Sequence, residues 1–100
     1  MHTGSVRRVG VPEPKFLFGR IVATPNALNQ IPNEEILCAL SRHGQGDWGT
    51  LDAEDWNANE CALKKGGRLF SQYHSIQNIK FWIITEADRS VTTVLLPEDY

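Results

Sequence analysis

The strongest constraint lies in the last third of the chain. Arg68–Ile76, Ile79–Glu86 and Val91–Leu96 are three runs rich in β-branched and aromatic residues, which suit a pleated, half-buried surface. The breaks between them are Gln77-Asn78 and the polar knot Ala87-Asp88-Arg89-Ser90. Strands separated by breaks this short pair as antiparallel neighbours, so the segment reads as a meander. Pairing Glu86 with Val91 makes the knot a four-residue hairpin loop built on a type I turn. Asp88 suits it, because its carboxylate can accept from the backbone two residues on.

A register sorts the side chains onto two faces, since they alternate along each strand. With Glu86 opposite Val91 and Ile76 opposite Ile79, one face carries Ile84, Trp82, Thr93, Leu95, Tyr73 and Leu69. The other carries Ile83, Phe81, Val94, Thr85, Thr92, His74, Gln72, Phe70 and Arg68. The first face has the larger rings and is expected to be covered. A one-residue slip reverses such assignments.

The first two thirds read as one strand and two helices. Phe16–Thr24 is strand-like, and Gly19 within it marks a bulge or a close backbone approach. Thr24-Pro25 has the chemistry of a helix cap and first helical position, consistent with a short helical turn through Leu28. Pro32–His43 is a stronger helix: Glu34 and Glu35 in its first turn, Ile36, Leu37 and Leu40 as a stripe, and Gly44 placed to close it. Asp52 is the best N-cap for a second helix, Ala53–Lys64, stopped by Gly66-Gly67. Trp56, Leu63 and Asn59 share its inward face, so Asn59 is expected to be partly buried and hydrogen-bonded. The two cysteines, Cys38 and Cys61, fall on these helices and are expected as buried free thiols.

One hundred residues suit one domain. Residues 1–15, interrupted by Gly4, Gly10, Pro12 and Pro14, read as a flexible N-terminal arm. Residues 16–100 read as a single α+β domain: an N-terminal strand, two helices, then a three-stranded antiparallel β-meander, with the helices packed on one face of the sheet. The formal charge of −2 and pI of about 5.9 argue against a nucleic-acid partner, since such domains are usually basic. No segment has the ~18 apolar residues of a membrane span. The N-terminus has no apolar stretch behind its basic residues, so a cytoplasmic location is expected.

Chemistry-bearing patterns are sparse. His43, Asp47, Asp52, Glu54 and Asp55 do not have the alternating oxygen ligands of a calcium loop. Cys38, Cys61, His43 and His74 lack zinc-ligand spacing. Gly44–Gly49 has no Lys-Ser/Thr to make it a phosphate loop. No metal or cofactor is expected. His74, Arg68, Thr85 and Thr92 on one sheet face supply the residue types for metal-free RNA cleavage, a group near neutral pKa and a cation for the phosphate. The order of helices then antiparallel sheet resembles small bacterial ribonuclease toxins at the level of fold. Trp48 is expected to anchor the Gly44–Gly49 loop to the core. If exposed, it becomes a binding anchor, as does Arg89 at the tip of the second hairpin.

Three stretches carry a wider resemblance: "FGRIVATPNAL", "LSRHGQGDWGTLDAEDWNANECAL" and "GGRLFSQY…FWIITEADRSVTTVLLPEDY". Over residues 16–100 the chain resembles a family of small bacterial proteins labelled plasmid-related or hypothetical and found with mobile elements. The resemblance implies that genomic setting and brings no catalytic residue or cofactor with it. The expected function is therefore an accessory or protein-interaction domain, with a protein partner or self-association. The alternative is the ribonuclease.

Overall fold

The computed structural model describes residues 13–100. The elements are β1 (Arg20–Ala23), α1 (Pro25–Gln30), α2 (Asn33–Gly44), α3 (Ala53–Lys65), β2 (Leu69–His74), β3 (Lys80–Thr85), β4 (Val91–Leu95) and a 3₁₀ turn, Pro97–Asp99. The strands form one sheet in the order β1-β4-β3-β2. The expected α+β meander is present, and β1 joins it parallel to β4. Most of the expected arm, residues 1–12, lies outside the described residues. Its last part is tied down: the Lys15 amide donates to the Gly44 carbonyl (2.8 Å).

The first strand is shorter than expected because Gly19 breaks it. Gly19 has φ +65°, and a Cβ there would stand 2.2 Å from the Ser90 carbonyl oxygen. Only glycine permits that approach. Phe16 and Phe18 then leave the sheet and pack beside His43. Beyond β1, Thr24 accepts from the Ala27 amide and Pro25 takes the first turn, so the suspected turn is a complete short helix.

α2 and α3 begin as expected. Asp52 accepts from the Asp55 amide at 2.9 Å. Gly44 remains helical, and the left-handed residue falls two positions later, at Gly46. α2 buries Ile36, Ala39, Leu40 and His43. That face points Leu37 outward, at 66 % exposed, together with Cys38. Cys61 on α3 is exposed as well, so the expectation of two buried thiols is corrected. α1 and α2 build the core with the sheet: Ala27, Ile31, Ile36, Ala39 and Leu40 meet Tyr73, Phe81, Ile83, Val94 and Leu96.

α3 serves a different purpose. Its one buried residue is Asn59, whose side chain accepts from the Phe70 amide (3.0 Å) and donates to the Phe70 carbonyl (2.6 Å). The loop after α2 continues this seal: the Gln72 amide donates to the Trp48 carbonyl and the Thr50 amide to that of Gln72. Gly49 makes the approach possible, since a Cβ there would sit 1.9 Å from the Gln72 oxygen. An edge strand with free amides invites foreign strands, and the β2 edge is closed against them at Phe70 and Gln72.

Candidate functional site

The four residues expected together are divided between the two faces. The second hairpin has the expected register, with Thr85 opposite Thr92 and the Glu86 amide donating to Val91 (3.0 Å). The first hairpin is slipped by one. Ser75, not Ile76, pairs with Ile79, and the loop has three residues ending in Asn78 at φ +63°. Ser75 Oγ accepts from the Gln77 and Ile79 amides and holds that turn. Leu69, Ser71 and Tyr73 therefore lie opposite Thr85, Ile83 and Phe81. The helices cover this face and not the one with the larger rings. Thr85 and Thr92 are fully buried, whereas Arg68 and His74 lie on the open face. Those two stand six residues apart on one strand, about 20 Å, too far to act on one phosphate.

The buried threonines belong to a polar chain through the core. Thr92 Oγ1 donates to the Phe18 carbonyl (2.7 Å), which can only accept. Thr92 must then accept from Thr85 (2.8 Å), and Thr85 from His43 Nε2–H (2.9 Å). His43 Nδ1 is left to accept from Ser71 Oγ–H at 2.5 Å. One carbonyl thus sets the direction of every bond and the tautomer of the imidazole. His43 is 0 % exposed. Burial, aided by the positive charge of Arg89, lowers its pKa from 6.5 to about 3. The ring is neutral and has no route to a substrate. The Ser-His pair is a satisfied core network.

Of the two residues considered as binding anchors, Trp48 is the core anchor expected of it, and Arg89 is structural too. Trp48 is 0 % exposed, and its indole N–H donates to Glu60 Oε2 at 2.9 Å. Trp56 is only half-buried. Arg89 does not project from its hairpin. Its guanidinium folds back to donate to the carbonyls of Gly67, Glu86, Ala87 and Ala62, and it lies 5.8 Å from the Phe16 ring. This places the cation where it discourages protonation of His43.

A cleft suited to an apolar ligand lies on the open face of the sheet. Phe70, Trp82 and Ile84 project from β2 and β3 into a cleft of about 300 Å³, completed by Arg68 and Tyr100. Trp82 meets Phe70 and Tyr100 edge to face, with centroids 5.1 and 5.8 Å apart. Its indole N–H donates to Gln72 Oε1 (3.0 Å). Tyr100 reaches this face from the 3₁₀ turn. Asp99 secures that turn by accepting from Thr24 Oγ1 (2.6 Å) and Asn26 Nδ2 (2.7 Å), and these bonds hold its carboxyl below the usual range. Arg68 Nη1 donates to the Tyr100 hydroxyl (2.8 Å), its guanidinium lies 5.4 Å from that ring, and Glu86 is 3.8 Å away. Sequence reasoning named Arg68 and placed Trp82 in the core. It missed Tyr100, whose Pro97 at a helix-start position was the available signal.

Among the described residues no group of three or more His, Cys, Asp or Glu side chains could hold a metal ion. No helix among them is long and apolar enough to cross a membrane. No family model, curated protein or solved structure matches the chain.

Proposed function

We propose that this chain is a small interaction domain that binds a protein partner through the open face of its sheet. One observation carries the reading: a concave apolar cleft, walled by three aromatic rings, lies on the face the helices leave uncovered. Partner surfaces are enriched in tryptophan, tyrosine and arginine, the residue types gathered here. The family resemblance supports an accessory role in a plasmid or other mobile element, and we place that role in the cytoplasm.

The test compares surface variants in affinity capture from the host. Thr93→Lys places a charge in the middle of the open face, and Leu37→Lys alters the exposed side of α2. Thr93 is partly exposed and Leu37 exposed, so a lysine at either position can carry its charge to solvent and both variants should fold. A partner retained by wild type and Leu37→Lys but lost by Thr93→Lys is the expected result. A partner retained equally by both variants refutes the assignment of the face.

A further inference from the structure

We infer that the cleft receives an aromatic side chain with a carboxylate beside it, presented by an extended segment of the partner protein. This rests on the interaction reading above. Phe70 and Tyr100 stand at 81° and 74° to Trp82, and the three rings line the cleft. Ile84, 4 % exposed, lies among them. The space of about 300 Å³ is ample for one flat ring, given that an apolar cavity of about 150 Å³ holds benzene.

Charge defines the rest of the ligand. Among the described residues, Arg68 is the ionised side chain that lines the cleft. Its side chain is 48 % exposed, leaving guanidinium N–H groups accessible to a carboxylate. Arg20 and Lys80 continue the positive character of this face, and Glu86 is the acid of the same register. The chain as a whole is negative, at −2. A segment with one or two carboxylates feels the local cations, whereas a polyanion meets the whole field. The chain itself shows that a phenol fits here: the Tyr100 ring lies against Trp82 and its hydroxyl accepts from Arg68.

The test is an NMR titration of the ¹⁵N-labelled full chain with three probes: acetyl-Glu-Tyr-Glu-amide, acetyl-Glu-Ala-Glu-amide and an oligouridylate. The tyrosyl peptide should shift the Trp82 indole N–H, and the alanyl peptide should leave it in place. Arg68→Ala, at a half-exposed position, should keep the fold and weaken the tyrosyl peptide about tenfold. Equal binding of the two peptides, an unchanged Kd in Arg68→Ala, or a response to the oligouridylate alone overturns the inference. If Thr93→Lys loses the host partner while the tyrosyl peptide fails to bind, the inference falls and the interaction reading stands. If Thr93→Lys keeps the partner, the interaction reading itself falls.

Discussion

Lowering the pH should destabilise the domain well before its carboxylates titrate, because of His43. The buried imidazole has a folded pKa of about 3 against an ordinary value of 6.5. Below pH 6.5 the unfolded chain takes up a proton there and the folded chain does not. The stability contributed by the neutral ring is thus complete above pH 6.5 and is lost as pH falls toward 3. The slope approaches about 1.4 kcal/mol per pH unit below the unfolded pKa, so the fall from 6.5 to 4.5 removes roughly 2 kcal/mol. A domain of this size has about 5–10 kcal/mol in total, so the loss is a large fraction. Asp47, Asp88 and Asp99 have lowered pKa values. Their contributions are present above the ordinary carboxylate pKa of 3.8 and fade only below it, so the window from 6.5 to 4.5 isolates the histidine. Urea denaturation at half-unit pH steps measures the slope. His43→Phe should flatten it, at the expense of the unpaired Ser71 hydroxyl. Long-range ¹H–¹⁵N spectra of wild type should show the Nε2–H tautomer down to pH 5. A midpoint that does not move between pH 6.5 and 4.5, or a His43 resonance titrating near 6.5, would refute the buried-chain argument.

Asn59→Ala should cost about 1–3 kcal/mol, since it strips both partners from the Phe70 backbone; faster hydrogen exchange at the Phe70 amide would locate the effect. Trp48→Ala should cost roughly 3–5 kcal/mol, given its complete burial, and so remove about half of the domain's stability in urea denaturation. Asp52→Ala should lower stability by about 1 kcal/mol in urea titration through loss of the α3 cap. Exposed Cys38 and Cys61 should both react with a thiol reagent under native conditions, without prior unfolding.

Local chemistry was readable without coordinates. Thr24 and Asp52 mark helix starts because a helix end leaves backbone donors that such side chains satisfy, and Glu34-Glu35 because acids suit the positive end of the helix dipole. The hairpin at Ala87–Ser90 was readable for the same reason, with the Ser90 amide bonded to Asp88 Oδ1 as expected. Asn59 stood in an apolar stripe, where a buried amide must find partners. Tertiary structure decided what depends on small differences between distant parts. One extra loop residue, Ile76, separates a two-residue turn from the three-residue turn held by Ser75 and Asn78. That difference pairs Ser71 with Ile83. Nothing local specifies that His43 on α2 meets Ser71 on β2 and Thr85 on β3, yet those bonds explain why Thr85 and Thr92 face the core. The open face followed from that choice. Trp82, large and apolar, reads as core by composition, and only the placement of the helices and of Tyr100 makes it the wall of a cleft. Periodicity tells which residues share a face, while the side that is covered depends on the packing of the whole chain.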